Sequence, residues 1–249
     1  MADEIAYKIY GDDLQLLEIE LDPGEAVRGE AGTMTYMETG IDMQTGVGGI
    51  FKGLKRMFTG ESFFISTFSN ISQDVSHVAF AAPYPGSILP LNLAAEGGKF
   101  ICQKDSFLCA ETDVEIEIAF TKRLGAGLFG GEGFILQRLE GSGMAWVHAG
   151  GTLIERTLAV GETLRVDTGC LVAFAPSVDY DIKMMKGFTN ALFAGEGLFL
   201  AQLTGPGKVY LQSLPLSRLA GRILASAKRS GGKNSGGVAG DVLGSLLGS

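Results

Sequence analysis

Apolar and polar residues alternate over short stretches of this chain, and the alternation returns at regular intervals. Leu17-Glu18-Ile19-Glu20-Leu21 has the period of two expected of a strand with one buried face. Asp22-Pro23-Gly24 then turns the chain, because proline presets φ and glycine accepts positive φ. Further along, Val114, Ile116, Ile118 and Phe120 alternate with Glu115, Glu117 and Ala119. Val178, Tyr180, Ile182 and Met184 alternate in the same way with Asp179, Asp181 and Lys183. Ile41-Asp42-Met43-Gln44 is a shorter run of this kind, followed by a glycine-rich insertion at 46–49. Gly141-Ser142-Gly143 and Gly205-Pro206-Gly207 separate other apolar runs and read as hairpin turns.

The runs are parts of a longer period. Phe129-Gly130-Gly131-Glu132-Gly133 is repeated as Phe193-Ala194-Gly195-Glu196-Gly197, and Phe58-Thr59-Gly60-Glu61-Ser62 is a looser first copy. Each leads into an apolar, strand-like run. Gly24, Gly98 and Gly161 form a second set of anchors that advances with the first. Such spacing is that of a supersecondary unit repeated within one chain. The pattern predicts an all-β domain over residues 1–215, built of three internal repeats at about 5–75, 76–145 and 146–215. It further predicts a closed pseudo-threefold arrangement, in which residues 209–212 pair with residues 5–10 and remove the exposed edges.

At the C-terminus the period changes. Leu216, Leu219, Ala220, Ile223, Leu224 and Ala227 lie on one face of a helix over 216–229, with Arg218, Arg222, Lys228 and Arg229 largely off it. A helix this short needs a surface to dock on. That surface is its own body or a sister subunit on one reading, and an anionic membrane on the other. Residues 230–249 are rich in glycine and serine and read as a flexible tail. The connector Phe51-Lys52-Gly53-Leu54-Lys55-Arg56 offers the same choice: Phe51 and Leu54 fold back on the body, or contact a membrane or partner.

Charge divides the chain along the same line. Residues 1–215 carry a net charge of −12 and residues 216–249 one of +4. An acidic body disfavours a nucleic-acid partner. The three cysteines, Cys102, Cys109 and Cys170, are too few for a disulfide framework and have no zinc-site spacing, which fits a reducing compartment. The first residues, Met1-Ala2-Asp3-Glu4-Ile5, lack an apolar signal region, and no run of 18 apolar residues occurs. A cytoplasmic protein is expected.

Pro85-Gly86-Ser87-Ile88-Leu89-Pro90-Leu91, Gln103-Lys104-Asp105-Ser106-Phe107-Leu108, the two Gly-Glu-Gly motifs and Gly205-Pro206-Gly207-Lys208-Val209 resemble the altered-inheritance-of-mitochondria family, formerly a domain of unknown function. The resemblance covers about residues 5–215. It implies three copies of a short double-stranded β-helix related to the tryptophan RNA-binding attenuation protein. Eukaryotic members of the family bear on mitochondrial inner-membrane organisation. The resemblance supplies no catalytic residues.

Candidate chemistry is sparse. Glu61, Glu132 and Glu196 are repeat-equivalent; converging, they would hold a hard cation, and otherwise they cap or face solvent at a repeated turn. His77 and His148 read as structural or surface residues, and Cys102 and Cys109 as small buried hydrophobes. No phosphate loop, dinucleotide fingerprint or nucleophile elbow is present. No catalytic, metal or cofactor site is expected. The sequence reads as a non-enzymatic scaffold or interaction protein that forms a homo-oligomer, with a protein partner or peripheral membrane contact through Phe51, Leu54, Arg218 and Arg222. The alternative is a small-ligand-binding regulator, by analogy of fold alone.

Overall fold

The computed structural model describes residues 5–45, 65–122, 134–184 and 199–230. The fold is predominantly β. The strands are β1 (Tyr7–Tyr10), β2 (Leu16–Leu21), β3 (Ala26–Glu30), β4 (Met34–Met37), β5 (Ile41–Thr45), β6 (Ile65–Asn70), β7 (Ser76–Phe80) and β8 (Gly86–Asn92). They continue with β9 (Lys99–Gln103), β10 (Phe107–Glu111), β11 (Glu115–Lys122), β12 (Phe134–Glu140), β13 (Met144–Gly150) and β14 (Leu153–Leu158). The last are β15 (Thr163–Asp167), β16 (Leu171–Phe174), β17 (Asp179–Met184), β18 (Phe199–Thr204) and β19 (Gly207–Gln212), followed by helix α1 (Leu216–Ser230).

The alternating runs become strands as their period requires. In β2, Leu17, Ile19 and Leu21 are fully buried, while Glu20 is exposed. Four sheets result: β1-β2-β7-β4, β5-β6-β3-β10-β13-β8, β11-β12-β9-β16-β19-β14 and β15-β18-β17. Short 3-10 turns at Ala31–Thr33, Lys104–Ser106 and Thr168–Cys170 precede β4, β10 and β16. Each of these three strands then shifts register after its first paired residue.

Three apolar clusters fill the spaces between sheets. The middle strands serve two at once. Phe107, Ala110, Ala145 and Val147 pack into one cluster, and Leu108, Cys109, Met144 and Trp146 into another. Hence every residue of β13, and Phe107 to Ala110 of β10, is buried, without the alternation of an outer strand.

Two expectations are corrected. Residues 209–212 do not pair with the N-terminal segment: β19 lies between β14 and β16, so both its edges are taken, and β1 pairs with β2. Among the described residues no ladder joins β4 to β15, so the four sheets do not form the closed arrangement. The turns at Gly141–Gly143 and Gly205–Gly207 are not hairpins either. β12 and β13 belong to different sheets, as do β18 and β19. These glycines are corners at which the chain passes between sheets under close contact. A Cβ on Gly141 would meet the Asp113 carbonyl oxygen at 2.7 Å, and one on Gly143 the Asp113 carboxylate at 2.2 Å.

Candidate functional site

Titratable side chains gather on the outer face of the sheet β1-β2-β7-β4. The register Tyr7↔Ile19 through Tyr10↔Leu16, with Glu18↔Ala79 and Glu20↔His77, sets Glu18 and Glu20 on the face opposite the buried leucines. Tyr10 donates to Glu18 at 2.8 Å, and Tyr36 from β4 donates to the other oxygen of the same carboxylate. Lys8 sits over the Tyr10 ring at 4.5 Å. On β7, His77 Nδ1 lies 3.0 Å from Glu38 Oε2, whose same oxygen accepts from the His77 backbone N–H at 2.8 Å, and Nε2 lies 3.8 Å from Glu20.

The electrostatics follow from these contacts. The Tyr36 and Tyr10 hydroxyls hold the Glu18 carboxyl below its ordinary value. The bond to His77 does the same for Glu38, and Glu38 raises the imidazole in return. Tyr36, donating to a carboxylate, is pushed up to about 12. A phenol held protonated and an imidazole stabilised in its charged form are poor nucleophiles and bases. Beside this face lies an open depression of about 640 Å³ lined by Met37, Glu38, Gly40, Asp74, Val75 and Ser76.

Helix α1 is the second feature. Its first turn is fastened to the body: Arg218 donates to Asp167 at 2.8 Å, Pro215 is buried, and a Cβ on Gly169 would meet Pro215 at 3.4 Å. The apolar stripe is only partly covered, with Leu219 and Ala220 half-buried. Leu216 is 45% and Ile223 55% exposed, and Arg222 is exposed. The helix contains no acidic residue.

Of the residues singled out from sequence, Glu61, Glu132, Glu196, Phe51 and Leu54 lie outside the described residues, as does the tail at 231–249. Arg218 and Arg222 separate: the first clasps the body and the second faces solvent. Cys102 and Cys109 are buried, and burial pushes both thiols up. His148 is buried against Tyr84, and His77 is a surface residue. The carboxylates around His77 come from β2 and from the residue after β4, so only pairing brings them together; the one sequence signal was the acidic half of Leu17–Leu21. Among the described residues no cluster of three or more His, Cys, Asp or Glu side chains is placed to hold a metal ion, and no helix is long and apolar enough to cross a membrane.

The chain is 30% identical over 217 residues to an uncharacterised protein of Streptococcus pyogenes serotype M6, a match spanning 84% of this chain and 85% of the relative. A crystal structure of a second protein from Streptococcus pyogenes superposes with a TM-score of 0.71 at 27% identity, covering 90% of this chain and all of that one. The pattern of the family described as mitochondrial biogenesis AIM24 matches residues 7–214. This chain belongs to the AIM24 family.

Proposed function

We propose that this chain is a non-enzymatic, self-associating scaffold that presents α1 and the outer face of β1-β2-β7-β4 for contact, acting in the cytoplasm. The observation that carries the reading is the partly uncovered stripe of α1: an amphipathic helix whose only charged residues are basic is fastened at one end, with Leu216 and Ile223 left in solvent. Exposed apolar helix faces of this kind are buried by partners. The body is three copies of one short double-stranded β-helix unit, at about 5–75, 76–145 and 146–215, arranged as in the tryptophan RNA-binding attenuation protein. Support comes from the shared wiring of the two six-stranded sheets and from the register shift common to β4, β10 and β16.

Native mass spectrometry of the full chain tests the reading. A discrete homo-oligomer that falls to smaller species in the L216S/I223S double variant is expected. A full chain that stays monomeric across the micromolar range, with no co-purified partner, would overturn it.

A further inference from the structure

Helix α1 is held at its start and exposed further on. Pro215 is buried, Leu219 and Ala220 are half-buried, and Arg218 is paired with Asp167. Gly221, Arg222, Ile223 and Ser226 are all exposed. A helix of 15 residues is marginal in water without a surface to lie on. Gly221 weakens it further. A Cβ there would meet nothing within 4 Å, so no close approach by the body calls for the glycine.

The chemistry of this helix is one-sided. Leu216, Leu219, Ala220, Ile223, Leu224 and Ala227 span an arc of about 140°. Arg218, Arg222, Lys228 and Arg229 are its charged residues, and all are cations. Between 216 and 249 a single acidic residue, Asp241, stands against five basic ones. Alanine at 220 and 227 keeps the stripe shallow, so apolar burial alone holds it weakly and the cations decide what it meets. A modestly apolar stripe backed by Lys and Arg is the composition of a helix that lies in the plane of an anionic bilayer surface. A second α1 offers these cations no carboxylate. The body favours the same orientation. Residues 1–215 carry −12, so an anionic surface repels the sheets and attracts the helix. Screening confines that repulsion to about 8 Å at physiological ionic strength.

We infer that the segment of α1 after Gly221 lies on an anionic phospholipid surface, with Ile223 entering the acyl boundary and Arg222, Lys228 and Arg229 at the phosphates. The inference deepens the proposed function: it rests on α1 being a contact surface and names a lipid leaflet as what the helix meets. The contact is peripheral and reversible, since among the described residues no helix is long and apolar enough to cross a membrane.

Sedimentation of the full chain with vesicles separates the outcomes. Vesicles of phosphatidylglycerol and phosphatidylcholine in equal parts should pellet the chain, and pure phosphatidylcholine should leave it in solution. Sodium chloride at about 1 M, where the screening length is about 3 Å, should release it. R222Q/K228Q/R229Q keeps helix propensity and should bind about a hundredfold more weakly, since each cation near such a surface contributes about fivefold. Ile223→Ser should weaken binding about tenfold. On the anionic vesicles, hydrogen exchange should slow in α1 while the strands are unchanged. Equal pelleting on both kinds of vesicle, or by the triple variant and the wild type, overturns the lipid assignment. Native mass spectrometry of the same preparations keeps the two readings apart. A homo-oligomer that stays in the supernatant with both vesicles gives α1 to a sister subunit or another protein; this inference falls and the scaffold reading stands. A monomer that pellets does the reverse.

Discussion

Acidification should weaken this fold through one buried imidazole. His148, in β13, is 1% exposed; the Tyr84 ring meets it edge-on at 4.7 Å between centroids, and its Nδ1 has no hydrogen-bond partner among the described residues. Burial penalises the charged form and lowers the imidazole from 6.5 to about 4. In the unfolded chain the same ring takes up a proton near its ordinary value. Between those two values the unfolded state therefore binds more protons, and stability falls as the pH falls. The loss amounts to about 2 kcal/mol at pH 5 and about 3 kcal/mol at pH 4, relative to pH 7. His77 acts in the opposite sense: Glu38 raises it, so its contribution is present below the unfolded value and disappears as pH rises through the folded one. Comparing the wild type with His148→Gln removes that contribution, because both proteins keep His77. In urea, with a slope of about 2 kcal/mol per M, the wild-type midpoint should drop about 1 M further than the variant's between pH 7 and pH 5. The chain has only two histidines, so an NMR titration assigns them directly, with His148 expected near 4 and His77 above 6.5. Parallel stability curves, or a His148 that titrates near 6.5, would refute the reasoning.

Gly86→Ala places a Cβ 2.0 Å from the Ala149 carbonyl oxygen and 2.5 Å from His148 Nε2, and chemical denaturation should show a loss of about 3 kcal/mol. Gly24→Ala meets nothing within 4 Å but has a φ of +89°, so its cost in the same assay should be nearer 1 kcal/mol. Trp146→Ala empties a fully buried site against the Tyr7 ring and should cost about 3–5 kcal/mol in a urea melt. Arg218→Ala removes a partly exposed ion pair worth about 0.5–1 kcal/mol, and hydrogen exchange should speed up in α1 while the strands keep their protection.

Strands were legible where one face meets core and the other meets water. β2, β11 and β17 follow directly from their alternating runs, and α1 from its 3.6-residue stripe. Strand partners were not legible. β13 is buried on both faces, so Met144-Ala145-Trp146-Val147 shows no period that tells which cluster each side chain enters. The corners at Gly141 and Gly205 have the composition of hairpin turns, yet they carry the chain between sheets. Their glycines answer a close approach from Asp113 and from Leu158 and Ala159, residues that only the fold brings near. The exposed cluster of Glu18, Tyr36, Glu38 and His77 was hidden for the same reason: register, not spacing, assembles it.

The open edge of β4 has a local cause in those same residues. Where β3 meets β10 and β9 meets β16, the first pair after the 3-10 turn is small: Gly29 against Cys109, Cys102 against Ala173. Each such pair lets two strands approach closely. At β4 the corresponding position holds Tyr36, whose hydroxyl is satisfied by Glu18 on the surface. Turning Tyr36 inward would bury a phenol and leave Glu18 with Tyr10 as its remaining donor, a cost of about 0.5–1.5 kcal/mol for the lost bond alone. Among the described residues β4 is thus paired on one side only, by β7, with the Tyr36 hydroxyl already engaged on the outer face.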